Sequence, residues 1–299
     1  MLDEFVQSLR KEDLAASTVK GYRYDLTMFL RWFRETQGPR SSLAELTEID
    51  LTAYKQHLVR GKRQRPASVN RRLQAVRRFC RWAHRRGVLR TNVSEKLKMV
   101  RSVPRRRPAG LTGAEVHALL RAAGRTTHGL AKRNYALVQI FVQAGLRVSE
   151  SAAARVDDVT IRDRAGSVRI QGKGTKEREV PLNASARRAL RTYLDARDNP
   201  KGDEPLFTSG RGAGISVRAV EDVISNLARR AKIDRIAVSP HSLRHTFALN
   251  YLHQNPGKLV ELANLMGHDS LDTTALYTQP STEELSDDLE RSRLNVYDE

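Results

Sequence analysis

Residues 241–248, HSLRHTFA, and residues 265–278, LMGHDSLDTTALYT, hold the pattern on which the reading of this chain turns. A helix predicted over 241–254 puts His241 and Arg244 one turn apart on a shared face, with His245 on the same side. A second helix, over 257–267, ends at Gly267, and His268 follows it directly. Tyr277 comes nine residues later on a short helix predicted over 272–278. Metal ligation is not expected from these histidines, because no Glu stands beside His241 as in a zinc-protease helix and no cysteine pair accompanies them.

Working outward, two further segments carry chemistry. In AGLRVSE (144–150) Arg147 stands at a helix start and Glu150 lies one turn on, a spacing that in isolation describes an ordinary surface ion pair. In QGKGTKEREVPL (171–182) the GKGTKE stretch supplies turn residues, and alternation in SVRIQ (167–171) and REVPL (178–182) predicts a hairpin. GKGTK is not a P-loop: it lacks the four-residue gap before Gly-Lys-Ser/Thr and precedes a strand rather than a helix. Other helices are expected over 112–123, 131–145, 147–154, 184–197 and 216–232. The carboxy-terminal region therefore reads as α+β, helical with a small antiparallel sheet.

The amino-terminal region reads as all helical. Tyr22, Leu26, Phe29 and Phe33 form one apolar stripe, on a helix that Ser17 or Thr18 would cap. A short helix is expected near 50–60 and another from about Ser68, where Val69, Leu73, Val76, Cys80 and Ala83 form a second stripe. The other faces of that last helix carry Arg71, Arg72, Arg77, Arg78, Arg81, Arg85 and Arg86. Either this is a solvated face or the helix lies against DNA, and seven arginines exceed what solubility requires.

Charge points the same way. The 299 residues hold 53 Lys+Arg against 34 Asp+Glu, a formal charge of +19. Residues 1–110 carry 26 basic and 10 acidic side chains, whereas residues 281–299 carry two and seven. A basic half suits a polyanion, since each phosphate contact releases counterions, although RNA-binding proteins share the property. The stretch 92–111, TNVSEKLKMVRSVPRRRPAG, marks the best domain boundary. Its RRRP run is either a solvated linker or a basic strap across a DNA backbone. Thr112 and Glu115 form a capping box that opens the next helix. Cys80 has no partner for a disulfide and belongs to the core. Neither a membrane span nor a secretion signal is expected, which fits a cytoplasmic protein.

Taken together and in this order, the four segments resemble the tyrosine recombinase (phage integrase-like) family, and within it the Xer-type enzymes. The resemblance covers nearly the whole chain. It implies a mainly α protein with a small antiparallel sheet in two domains. A helical, SAM-like core DNA-binding domain would span 1–95 and a basic linker 96–111. An α+β catalytic domain would span 112–280, and a tail for protomer exchange 281–299. It implies cleavage and rejoining of DNA through a 3′-phosphotyrosine and a Holliday junction, without metal, cofactor or ATP, because the phosphotyrosine keeps the energy of the broken bond.

Matched position by position, the resemblance implies the catalytic set Arg147, Lys173, His241, Arg244, His268 and Tyr277, with Glu150 in support. Two guanidiniums can clamp the non-bridging oxygens as phosphorus becomes five-coordinate. His241 would either take the phenol proton or donate to the phosphate, and His268 would donate to it. Lys173, preferred over Lys176 by the family's pattern, would protonate the departing 5′-oxygen. Tyr277 would be the nucleophile. Glu150 would orient an arginine or a histidine, whereas His245 would serve packing or a DNA contact. DNA contacts are expected from Arg71, Arg72, Arg78, Arg81, Arg105, Arg106, Arg107 and Arg178.

Ser281 and Glu284 would cap a tail helix over 281–292, with Leu285, Leu289 and Leu294 on its apolar side. That helix would dock on a neighbouring protomer, with packing on its own chain as the alternative. The expected partners are double-stranded DNA with an inverted-repeat site, a homo-tetramer on that DNA, and in some systems a paralogous recombinase. The competing functions are a type IB topoisomerase and a non-catalytic DNA-binding accessory protein. Ser151, where the family usually has an apolar residue, and Gln279, where His is frequent, are small departures. They leave a mobile-element origin as plausible as a chromosomal one.

Overall fold

The computed structural model describes residues 1–12, 14–38, 41–101, 107–126, 129–172, 177–198, 200–268, 270–280 and 282–291. Lys173, Arg105, Arg106, Ser281 and Leu294 lie outside them. The chain divides into two units, Met1–Pro104 and Arg105–Glu299. Among the described residues no helix is long and apolar enough to cross a membrane.

Unit 1 contains helices α1 (Leu2–Arg10), α2 (Ala16–Gln37), α3 (Glu48–Gln56) and α4 (Pro66–Arg85). The two apolar stripes form its core: Leu26, Phe29, Phe33, Val69, Leu73, Val76, Cys80 and Ala83 are all buried. Phe5 of α1 packs edge-on against Phe79 of α4, with ring centroids 5.3 Å apart. Ser17 and Thr18 do not cap α2. The helix begins at Ala16 without a side-chain cap, and Val19 in its first turns is buried. Helix α4 begins at Pro66, whose missing N–H costs nothing in a first turn.

Part of the arginine excess serves folding. Asp25 is 1% exposed. Its two carboxylate oxygens accept from Arg71, and Arg72 lies 3.8 Å away. Burial lifts the Asp25 carboxyl above its ordinary value, and Arg71 and Arg72 offset this only in part. Arg78 pairs with Glu12 and covers the Tyr22 ring, and Arg77 donates to the Leu97 carbonyl. Arg81 and Arg85 are exposed.

Unit 2 is built around α6 (Ala131–Ala144), buried from Ala136 to Val142 and packed by α5 (Gly113–Gly124), α8 (Ala184–Asp195) and α10 (Pro240–Gln254). Between α7 (Val148–Ala153) and α8 lies an antiparallel sheet of β1 (Val159–Ile161), β2 (Gly166–Gln171) and β3 (Glu177–Pro181), in that order. Val168 pairs with Val180 in register, and both face the core with Ile170. Strand β1 was not expected, because three residues, VTI, carry no readable alternation. The rest comprises α9 (Val217–Arg230), α11 (Leu259–Met266), α12 (Leu271–Ala275) and α13 (Thr282–Arg291). The starts follow local chemistry: Thr112, Asn183, Ser216 and Ser239 each accept a backbone N–H of the first turn.

Helix α6 stops one residue short of the expected 145 because Gly145 turns left-handed at φ 62°. A Cβ built there would lie 2.2 Å from the ring of Phe247, which is 8% exposed. Gly145→Ala should therefore destabilise unit 2 by about 2–4 kcal/mol, from overpacking and an unfavourable φ together. Urea unfolding of the variant beside wild type measures this, and an unchanged midpoint would contradict it.

Candidate active site

Two glycine-terminated helices aim their last carbonyls at one place. Gly267, at φ 62°, caps α11 as Gly145 caps α6. Arg244, on α10 and 3% exposed, donates Nη1 to the Gly145 carbonyl and Nη2 to that of Met266, each at 2.5 Å. Arg147 follows the α6 cap and donates Nη2 to the Gly267 carbonyl at 2.5 Å. The negative ends of two helices thus hold two guanidiniums side by side. Burial and the neighbouring Arg147 lower Arg244 to about 10, so it stays charged at neutral pH.

Glu150 joins this pair from α7. One of its carboxylate oxygens accepts from Nη1 of Arg147 at 2.8 Å. The other accepts from the Arg147 backbone N–H at 2.7 Å and from Arg178 Nη2 at 2.8 Å. Arg244 lies 4.0 Å away. Burial pushes the carboxyl up, but the bonds from Arg178 and Arg147 outweigh it and hold Glu150 below its ordinary value. Arg178 also donates to the Leu265 carbonyl at 3.1 Å. It therefore braces Glu150 against α11, a role its position in the hairpin sequence did not show.

Tyr277 lies on a single 3₁₀ turn, Leu276–Thr278, and is 5% exposed beside Phe247, Ala248, Leu262 and Met266. Its hydroxyl is 2.7 Å from Nδ1 of His245. The His241 ring meets that of His245 edge-on, with centroids 4.1 Å apart. His268 bonds through Nδ1 to the hydroxyl of fully buried Thr274 at 2.8 Å. The site thus unites Arg147, Glu150, His241, Arg244, His268 and Tyr277. Sequence reasoning gave His245 no contact with Tyr277 and did not find Thr274. The signal for His245 was its four-residue spacing from His241 on one helical face.

Of the arginines expected on DNA, Arg178 is held by Glu150, and Arg107 donates to Glu284 at 2.5 Å and to the Gln279 carbonyl at 3.4 Å. Glu284 is thus engaged by Arg107. Helix α13 carries the exposed side chains Leu285 and Leu289.

Burial and the surrounding cations hold His245 and His268 down at about 4, and burial with Arg244 lowers His241. The unfolded chain, with histidines near 6.5, binds more protons in the window between. Stability should then be full above pH 6.5 and fall as pH drops from 6.5 towards 4. A His245→Gln/His268→Gln double variant should lose less over that window in thermal melts. An identical fall in both proteins would contradict the assignment.

Residues 110–284 match the phage integrase family, and residues 2–87 match the phage integrase N-terminal SAM-like domain. The chain is 34% identical to tyrosine recombinase XerD of Ralstonia nicotianae, over 95% of this chain and 91% of that protein. It is 32% identical to tyrosine recombinase XerC of Pelobacter propionicus, over 92% and 88%. Its fold is similar to that of the XerH site-specific recombinase bound to its difH substrate, with a TM-score of 0.72 and 22% identity over 96% of this chain and 83% of that one.

Proposed function

Because the chain belongs to the phage integrase family and is a tyrosine-type site-specific recombinase, we propose that Tyr277 attacks a backbone phosphate of its DNA site and becomes the covalent link. Arg147 and Arg244 bind the two non-bridging oxygens, and His268 donates to the same phosphate. Glu150 fixes Arg147, and Arg178 fixes Glu150. Lys173, of the GKGTKE stretch, protonates the leaving 5′-oxygen. The released 5′-hydroxyl is exchanged for one from a second duplex, which attacks the phosphotyrosine and reseals the strand. Two such exchanges pass through a Holliday junction held by four protomers, with α13 of each docking on its neighbour. No metal, cofactor or ATP enters this scheme.

The observation that carries this reading is the shared anchoring of Arg147, Arg244 and Arg178 on three successive carbonyls, Leu265 to Gly267, directly before His268 and ten residues before Tyr277. One short segment thereby sets the phosphate clamp and the nucleophile in register. Unit 1 and the 96–111 linker supply backbone contacts, with exposed Arg81 and the linker residues Arg105, Arg106 and Arg107 as the proposed contributors. Arg71, Arg72 and Arg78 reach DNA only by sharing Asp25 and Glu12. We place the reaction in the cytoplasm, at the nucleoid where its DNA substrate lies.

Two DNA fragments carrying the inverted repeats that flank its own gene or element test the scheme. With EDTA present and no ATP, purified protein should yield joined products, a four-way intermediate on native gels and four cross-linked protomers. Relaxation of supercoiled DNA without any joined product would instead support the type IB topoisomerase reading. Binding without a covalent adduct would support the accessory-protein reading.

A further inference from the structure

Attack by Tyr277 requires its proton to leave, and in this structure that proton faces His245. Among the described residues, Nδ1 of His245 is the one hydrogen-bonding group on the Tyr277 hydroxyl, at 2.7 Å. The bond spans 32 residues of sequence and joins α10 to the turn that carries the nucleophile. The phenol, raised further by burial despite Arg244, is protonated at neutral pH and must donate. Nδ1 therefore accepts, and the proton of neutral His245 sits on Nε2.

We propose that His245 is a further catalytic residue, the group that accepts the Tyr277 proton during cleavage and returns it during resealing. The inference rests on Tyr277 being the nucleophile. As the Tyr277 oxygen bonds to phosphorus, its O–H bond breaks and the proton passes to Nδ1, leaving His245 as an imidazolium. The bond from phosphorus to the 5′-oxygen breaks at the same time, and that oxygen takes its proton from Lys173. Resealing reverses each transfer. His241, one turn back on α10, lies against His245 rather than against the phenol oxygen, and supports the base through ring contact.

The charges around His245 make it a base that substrate switches on. His241 and Arg244 face it from α10, His268 from beyond α11, and Tyr277 from beyond α12. Burial and the Arg244 guanidinium keep the imidazole weakly basic. A phosphodiester bound by Arg147 and Arg244 brings the compensating negative charge, so proton affinity rises when the reacting phosphate arrives. Such a base leaves Tyr277 protonated until DNA is in place.

The test uses nicked DNA that traps the covalent adduct, made with either a natural 5′-oxygen or a 5′-sulfur at the scissile phosphate. A sulfur leaving group needs no acid, so it removes any requirement for Lys173. His245→Ala and His245→Gln should bind DNA as wild type does, but form adduct about 100-fold more slowly near pH 7.5 with both leaving groups. Their rates should climb about tenfold per pH unit below the phenol's pKa, because the phenol must then ionise to solvent. Added imidazole should restore part of the His245→Ala rate.

Glutamine keeps a hydrogen-bond acceptor without basicity, so a His245→Gln enzyme with wild-type rate and pH profile would show that His245 only positions Tyr277. A defect that vanishes with the sulfur leaving group would assign His245 to the leaving oxygen instead. Either result overturns the proposal. Should His245→Ala fold poorly, His245→Gln decides the question alone. An adduct that survives in Tyr277→Phe would sink the wider reading, whereas a Tyr277-dependent adduct unaffected by His245 substitutions would sink this one only.

Discussion

Arg244→Ala should slow formation of the covalent DNA adduct by about 1000-fold or more and weaken unit 2 as well. Losing one donor to a developing negative oxygen costs about 10²–10³ in rate in such sites. Arg244 is the more buried member of the clamp, where a charge acts with little solvent screening. The same substitution strands the carbonyls of Gly145 and Met266, which Arg244 ties together at 2.5 Å. An orphaned buried acceptor costs about 1–3 kcal/mol. Arg244→Lys should be nearly as severe in rate, because one ammonium cannot span two carbonyls and still present a planar fork to phosphate. Single-turnover cleavage and urea unfolding separate the two effects, and a lysine variant with wild-type cleavage would refute the bidentate clamp.

The second large effect is expected at Glu150. Its carboxylate is the only acid in contact with Arg147, Arg178 and Arg244 among the described residues. Glu150→Ala leaves three guanidiniums facing one another and removes the acceptor from the start of α7. Breaking a buried charge pair costs about 3–5 kcal/mol, and cleavage should fall about 100-fold or more as Arg147 loses its orientation. Glu150→Gln keeps the shape and one acceptor, so its losses should be smaller. The folded carboxyl lies below its ordinary value of 4.5, so its contribution is present above that value and disappears as pH falls through the folded one. Thermal melts should show a shallower acid limb below pH 4.5 in Glu150→Gln than in wild type. A Glu150→Ala protein as stable and as active as Glu150→Gln would contradict this account.

The helices were legible because their apolar residues repeat with the helical period and their first turns carry Ser, Thr, Asn or Pro. The stripe from Val69 to Ala83 and the cap at Thr112 both correspond to observed structure. Strand β1 was illegible, since its existence depends on pairing with β2 rather than on its own three residues. At the site, the spacing among His241, Arg244, His268 and Tyr277 identified the groups, but no local pattern encodes how they meet. His245 reaches Tyr277 across 32 positions and Arg178 reaches Glu150 across 28. Sequence shows an exposed-looking arginine and a helical histidine, and only the folded chain shows what each one touches. Arg71 teaches the same lesson, because its partner Asp25 lies 46 residues away and is itself buried.

The central claim is that Tyr277 forms the covalent bond to DNA. Purified protein incubated with end-labelled, nicked DNA from its own flanking repeats, then denatured in SDS, gives the most direct test. Wild type should yield a protein–DNA band, and proteolysis should leave the nucleotide on the peptide that contains Tyr277. Tyr277→Phe should bind the same DNA and yield no band. A band of wild-type intensity from Tyr277→Phe, or a nucleotide attached to any other residue, would contradict the account.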